Sequence, residues 1–127
     1  MEYLIDTHIL LWYLDGNIAL PEKIADLLDS SKKIIVSTIS LWELAIKASL
    51  NKIELSSSLD QIQQELNKNK RFDILNISFA HLNVLTALSH YHRDPFDRLL
   101  IAQAISEKLI IISADKHFKA YPVDVIW

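Results

Sequence analysis

Short apolar runs alternate with helical patterns along the chain, and this alternation limits the possible folds more than any other feature. Most of the runs are continuous, which is typical of strands buried on both faces of a sheet. Leucine and isoleucine at helical spacing separate successive runs, as in the βαβ units that build parallel sheets. We therefore predict an α/β fold, a three-layer α/β/α sandwich with a central, mostly parallel sheet of four to five strands. The predicted strands are Tyr3–Asp6, Ile34–Ser37, Ile74–Ile77, Leu109–Ser113 and Val123–Ile126.

Residues that favour capping positions mark the helix boundaries. The first predicted helix, 7–14, ends at the turn that contains Gly16, the only glycine of the chain. Ser40 and Glu43 have capping-box spacing, and Asp94 followed by Pro95 predicts an N-cap and first turn for a helix that reaches residue 107. Further helices are predicted from Pro21, over 58–69 and over 78–88.

Composition restricts the class of protein. The chain has 127 residues, half of them hydrophobic, so we expect a single domain over residues 1–127 with a full core. No cysteine is present, which excludes disulfides and a cysteine nucleophile, and one glycine cannot build a glycine-rich phosphate loop. The apolar stretches are shorter than a membrane span, and the start Met1-Glu2-Tyr3 lacks signal-peptide features, so we expect a cytoplasmic protein without a membrane partner. The net charge of −3 means that a nucleic-acid partner would need a local basic patch.

Four acidic residues, remote from one another in sequence, occupy equivalent places after the predicted strands. The strand-end loops of a parallel sheet share one edge, where ligands usually bind. Carboxylates gathered there would repel each other by on the order of 3 kcal/mol per pair at about 5 Å and an effective dielectric of roughly 20. A divalent cation would relieve this repulsion, and oxygen ligands suit Mg²⁺ or Mn²⁺. The predicted metal-binding and catalytic residues of a hydrolase are Asp6, Glu43, Asp97 and Asp115.

Each of these residues also has a purely structural explanation. Asp6, Asp97 and Asp115 could serve only as helix caps or dipole partners, and Glu43 could complete a capping box or pair with Lys47. Their shared position at one sheet edge favours the functional interpretation.

Neighbouring polar residues give a second group of candidates. Hydroxyl groups could support the carboxylates, although helix capping explains each of them equally well. Asp94 is a further supporting candidate, but the proline after it favours a capping role. Basic side chains near the same edge could meet a substrate phosphate, although a solvated surface charge is the better explanation for most of them. Arg98 is the most suggestive because it adjoins Asp97. The five histidines do not form a metal-ligand pattern in the sequence. The supporting candidates are Thr7, Ser37, Ser113 and Asp94, and the basic ones are Arg98, Lys47 and Lys116.

Four segments that together span most of the chain carry a family resemblance. In these segments, and in their order and spacing, the sequence resembles a PIN-domain ribonuclease of the kind found as the toxin of VapBC toxin–antitoxin systems. The segments are Leu4-Ile5-Asp6-Thr7-His8, Val36-Ser37-x-x-Ser40-Leu41-Trp42-Glu43-Leu44, His92-Arg93-Asp94-Pro95-Phe96-Asp97-Arg98 with its continuation to Ala104, and Ile112-Ser113-Ala114-Asp115.

The resemblance implies an α/β/α sandwich, Mg²⁺ or Mn²⁺ in an acidic pocket, and endonucleolytic cleavage of RNA, with transfer or ribosomal RNA as the expected substrate. It also implies a cognate antitoxin that inhibits the site, and frequent homodimers. By position, Asp6, Glu43, Asp97 and Asp115 match the family's acidic residues, whereas Asp94 is an uncertain addition. Ser113 stands where the family often has threonine, which keeps the hydroxyl.

Three other classes of protein are alternatives for a chain with this pattern. A receiver-like phosphoacceptor domain needs paired acidic residues after the first strand, where Asp6 is followed by Thr7. A haloacid-dehalogenase-type phosphatase needs an aspartate at the position of His8. A non-catalytic interaction domain remains an open alternative at this stage.

Overall fold

A five-stranded parallel sheet forms the centre of the molecule. The computed structural model describes residues 2–127. The strands are β1 (Tyr3–Ile5), β2 (Ile34–Ser37), β3 (Phe72–Leu75), β4 (Ile110–Ile112) and β5 (Val125–Ile126). Their order in the sheet is β3-β2-β1-β4-β5, and all neighbouring pairs are parallel. The predicted α/β class and the parallel sheet are confirmed.

Helices connect the strands and cover the sheet. They are α1 (Thr7–Asp15), α2 (Glu22–Ser30), α3 (Thr38–Ser49), α4 (Leu59–Lys68), α5 (Phe79–Ala87) and α6 (Pro95–Glu107), with a short 3-10 helix at Lys116–Ala120. Within residues 2–127, none of these helices combines the length and the apolar character needed to cross a bilayer.

Two separate hydrophobic clusters lie on opposite faces of the sheet. In β1, Tyr3 and Ile5 join one cluster with residues of α1, α2 and α4, whereas Leu4 joins the other with residues of α5 and α6. This division follows from the alternation of side chains along a strand. It explains why the central strands are continuous apolar runs, because both faces are buried.

Helix α1 begins and ends as its sequence predicts. Asp6 caps its N-terminus, where its side chain accepts a hydrogen bond from the Ile9 N–H at 2.9 Å. Gly16 ends it in the left-handed conformation, with φ 62°. The cap fixes Asp6 between the end of β1 and the start of α1, and the glycine ends the helix at its other terminus.

The predicted bounds of β3 and β5 and the predicted start of α3 are wrong. Strand β5 begins at Val125, two residues after its predicted start. Strand β3 begins at Phe72, two residues before the predicted start, because this edge strand buries Phe72 and leaves Ile74 exposed. The capping box at Ser40 does not form, since Ser37 caps α3 and the helix already begins at Thr38. Glu43 therefore lies inside the helix and is free to face the sheet edge.

Candidate active site

A cavity of about 360 Å³ opens at the carboxyl-end edge of the sheet, and acidic side chains from four separate segments line it. Asp6 follows β1, Glu43 comes from α3, Asp94 and Asp97 begin α6, and Asp115 follows β4. The structure thus brings together all four predicted carboxylates, and Asp94 with them. The other lining residues are Thr7, His8, Trp12, Lys47 and Ala114.

Asp6 is buried at the centre of this edge. One carboxylate oxygen caps α1, and the Ser113 hydroxyl donates a second hydrogen bond to the carboxylate. Burial raises the pKa of Asp6 above its usual value, although the hydrogen bonds from Ser113 and Ile9 oppose that rise. Ser113 also accepts the Asp115 N–H at 3.0 Å, so one hydroxyl links the ends of β1 and β4.

Glu43 is held from both sides. The Thr7 hydroxyl donates to Oε1 at 2.6 Å, and Lys47, one helical turn further along α3, contacts Oε2 at 2.6 Å. The hydrogen bond to Glu43 raises the pKa of Lys47, which keeps the ammonium charged. Lys47 therefore places a positive charge in an otherwise acidic cavity.

The carboxyl group of Asp97 responds both to its burial and to the neighbouring carboxylates. Burial, and then the negative charges of Asp94, Glu43, Asp6 and Asp115, raise its pKa from 3.8 to about 8. Desolvation and like charges both disfavour the ionised form, so Asp97 carries a proton at neutral pH when no cation is present. Carboxylates from the other segments of the cavity therefore lie close enough to raise the pKa of Asp97.

Asp115 has the opposite behaviour. Burial alone would raise its pKa, but hydrogen bonds from the His117 N–H and from the rings of His92 and His117 outweigh burial, and the pKa is lowered. Its Oδ1 accepts from the His117 N–H at 2.8 Å, and its Oδ2 lies 2.9 Å from His92 Nε2. Asp115 is therefore an ionised carboxylate in a fixed orientation.

Asp94 caps helix α6, as its sequence position predicts. Its Oδ1 accepts from the N–H groups of Phe96 and Asp97, at 2.8 and 3.2 Å. Because it also lines the cavity, Asp94 contributes a fifth acidic side chain beside its structural role.

Three sequence-predicted residues lie elsewhere. The Arg98 guanidinium is buried and donates to the carbonyls of Leu88 and Ser89, so it holds a loop and does not face the cavity. The Ser37 hydroxyl donates to Gln103 on α6. Lys116 is exposed on the 3-10 helix and does not line the cavity.

Sequence reasoning missed the position of His92. Its Nε2 lies 2.9 Å from Asp115, 23 residues away in sequence, and 3.1 Å from Asp97. The ligand atoms of His92, Asp115 and His117 lie within 4.8 Å of one another, a proximity that the sequence did not indicate. The signal in the sequence was the position of His92 directly before the Asp94–Asp97 segment.

The donor set of the cavity fits a hard divalent cation. All the converging acidic groups offer carboxylate oxygens, the ligands that Mg²⁺ and Mn²⁺ prefer. Burial and then the repulsion between carboxylates raise the pKa of Asp97, and a cation would relieve that repulsion. Asp6, Glu43, Asp97 and Asp115 are therefore the residues that could hold such an ion.

Comparison with known proteins agrees with this architecture. Among curated proteins, none matches the chain in sequence. Among solved structures, the chain is similar to one in VapBC2 from Rickettsia felis bound to a DNA fragment from the promoter, with TM-score 0.70, 24% identity, and coverage of 100% of this chain and 99% of that one. A toxin-antitoxin complex from Klebsiella pneumoniae gives TM-score 0.67 at 22% identity, covering 98% and 96% of the two chains.

A third similar structure is VapBC-1 from nontypeable Haemophilus influenzae, with TM-score 0.72, 17% identity and coverage of 99% and 97%. At these identities the likeness concerns the fold. The sequence model of the PIN domain matches residues 3–124, nearly the whole chain. The chain belongs to the PIN domain family.

Proposed function

We propose that this chain is a metal-dependent endoribonuclease that hydrolyses phosphodiester bonds of RNA and acts as the toxin of a type II toxin–antitoxin pair. The observation that carries the proposal is the convergence of Asp6, Glu43, Asp97 and Asp115 on one cavity, where their charges help to raise the pKa of Asp97 to about 8. Membership of the PIN domain family and the similarity to chains from toxin–antitoxin complexes support it.

The four carboxylates would hold Mg²⁺, with Mn²⁺ as the alternative. When bound, such an ion activates water for attack on phosphorus and neutralises charge on the phosphate in the transition state. Asp6 and Asp97 are the proposed direct ligands. Glu43 and Asp115 are proposed to bind the ion or to orient the attacking water.

The surrounding polar groups fix these carboxylates before substrate arrives. Thr7 orients Glu43, and Ser113 orients Asp6. Fixed ligand orientation is what hydrogen-bonded partners of a metal site normally supply, and losing one typically costs 10- to 100-fold in affinity or activity. Thr7 and Ser113 are therefore proposed as supporting residues.

Lys47 is the proposed contact to RNA inside the cavity. Its ammonium group lies between the acidic side chains and solvent, half-buried and paired with Glu43. A phosphate that enters the cavity can take this positive charge as a partner, which gives binding that weakens as salt rises. Lys116 is the proposed second contact, at the exposed rim.

The proposal extends to partners and location. An RNA-cleaving toxin needs a cognate antitoxin that covers its site, and it acts where cellular RNA is found, which is the cytoplasm. We propose transfer or ribosomal RNA as substrate, a homodimer as the assembled form, and one domain over residues 1–127.

The test is cleavage of purified transfer and ribosomal RNA by the partner-free protein, with Mg²⁺ and with EDTA. Asp6→Asn is the informative variant, because asparagine also caps helices and can accept the Ile9 N–H, while the carboxylate charge is lost. Asp73→Asn is the matched control, since Asp73 is exposed on the edge strand β3 and pairs only with Lys33 in the described residues.

We expect Mg²⁺-dependent cleavage that Asp6→Asn reduces by at least about 100-fold, the scale on which removal of metal or its ligands acts. Asp73→Asn should cleave like the parent protein. Cleavage that persists in EDTA, or that Asp6→Asn leaves intact, would contradict the proposed function.

A further inference from the structure

The side chain of His92 joins two of the proposed metal-binding carboxylates. Its Nε2 is hydrogen-bonded to Asp115 Oδ2 at 2.9 Å and lies 3.1 Å from Asp97 Oδ2. Asp97 belongs to α6 and Asp115 to the segment after β4. The side chain of His92 thus contacts the carboxylates of both segments.

The other ring nitrogen fixes the tautomer of His92. The backbone N–H of Asp94 donates to Nδ1 at 3.2 Å. A backbone N–H can only donate, so Nδ1 carries no proton and Nε2 carries the ring proton. His92 therefore points an N–H donor, and no lone pair, at the two carboxylates.

This tautomer decides between two roles for His92. As a metal ligand through Nε2, the ring would have to move its proton to Nδ1, where that proton would face the Asp94 N–H. The cluster of His92, Asp115 and His117 has ligand atoms close enough for a metal, but its use would break an existing hydrogen bond. The geometry favours a donor that positions carboxylates.

The loop that presents His92 is fixed from several directions. The His92 N–H donates to the Tyr121 hydroxyl at 2.8 Å, and Tyr121 donates to the Ser89 carbonyl at 2.8 Å. Arg98 donates to the same carbonyl at 2.8 Å. The His92 ring packs against Phe118, with ring centroids 5.8 Å apart. His92 is half-buried, and its ring is held in place before any ion binds.

We propose that His92 is a positioning residue, whose Nε2–H sets the distance and orientation of Asp97 and Asp115 for a bound divalent cation. The inference rests on the proposed function and adds to it a residue that touches neither ion nor RNA. Hydrogen-bonded partners of metal ligands typically contribute 10- to 100-fold in affinity. His92 should make a contribution of this size.

Two substitutions separate the two sides of the ring. In His92→Gln the amide N–H₂ can reach the position of Nε2, so the contact to the carboxylates is kept. In His92→Asn the shorter amide can accept the Asp94 N–H in place of Nδ1, but it cannot reach Asp97 or Asp115. His90→Asn is the control, because His90 is an exposed histidine of the same loop.

The experiment is titration of each metal-free protein with Mn²⁺. Calorimetry measures the binding affinity, and thermal unfolding measures the stability that the bound ion adds. We expect His92→Asn to weaken Mn²⁺ binding by about 10-fold or more, with His92→Gln within about threefold of the parent and His90→Asn unchanged. Equal Mn²⁺ affinity of the parent and His92→Asn would overturn the inference. So would a His92→Gln variant as weak as His92→Asn.

A second measurement addresses the tautomer in the loaded protein. Nitrogen-15 spectra of the imidazole, recorded with Mg²⁺, should show His92 protonated at Nε2 and not at Nδ1. Loss of the Nε2 proton on Mg²⁺ addition would instead identify His92 as a ligand and overturn the positioning role. A parent protein that binds no Mn²⁺ and cleaves no RNA would overturn the proposed function and this inference together, whereas normal binding by every His92 variant would overturn the inference alone.

Discussion

Asp97→Asn should stabilise the metal-free protein while it removes metal binding. The pKa of Asp97 is raised from 3.8 to about 8 by burial and by the neighbouring carboxylates. At 1.36 kcal/mol for each pH unit between 3.8 and 7, folding with this carboxyl costs about 4 kcal/mol at pH 7. Its side chain is 20% exposed, so water screens part of the effect, and we expect a gain of roughly 2 kcal/mol in the variant.

The sign of the pH dependence follows from the same pKa. Between pH 3.8 and about 8 the folded protein holds a proton on Asp97 that the unfolded chain has released. The free energy of unfolding of the parent protein therefore falls as pH rises through this window. The stability difference between Asp97→Asn and the parent should be small near pH 4, grow up to about pH 8, and then stay constant.

The assay is urea or thermal unfolding of both proteins in EDTA across this pH range. A gain of about 2 kcal/mol corresponds to roughly 6 °C in Tm for a chain of this size. With Mg²⁺ the order should reverse, because only the parent gains stability from bound ion. A variant that is less stable than the parent in EDTA at pH 7, or a difference that does not change with pH, would refute the argument.

Three further substitutions test other parts of the structure. Arg98→Met should destabilise the fold by about 2 kcal/mol in urea unfolding, because the carbonyl of buried Leu88 loses its donor and the Ser89 carbonyl keeps only Tyr121. Gly16→Ala should lower stability by about 1 kcal/mol in thermal unfolding, since φ is 62° and no neighbour within 4 Å adds a clash. Lys47→Met, made together with Asp6→Asn to prevent cleavage, should weaken RNA binding. The slope of log affinity against log salt concentration should fall by about one, since one fewer phosphate is neutralised.

The interior of the sheet could be predicted from the sequence because burial on both faces leaves a continuous apolar run. β1 and β2 lie between other strands, and the predicted ranges agree with the observed ones to within one residue. β3 lies at the edge, where Phe72 is buried but both Asp73 and Ile74 are exposed. The apolar residues that suggested a strand start at Ile74 were therefore not the buried ones.

The convergence of the carboxylates could also be predicted, because parallel strands deliver their carboxyl ends to one edge. The direction of individual side chains could not. Ser37 ends β2 as expected, yet its hydroxyl turns to Gln103, 66 residues away in sequence. His92 reaches Asp115 only because Arg98 and Tyr121 hold its loop, and such tertiary contacts leave no pattern in the local sequence.

The cavity limits the cost of its negative charge by a different means at each carboxylate. Glu43 has Lys47 and the Thr7 hydroxyl, Asp115 has hydrogen bonds from two histidines, and Asp97 has a proton. The first two arrangements fix the orientation of a carboxylate. Burial and the neighbouring carboxylates instead keep a proton on Asp97 at neutral pH. A bound cation would therefore change the charge of Asp97, whereas Asp115 already presents an ionised carboxylate to the cavity.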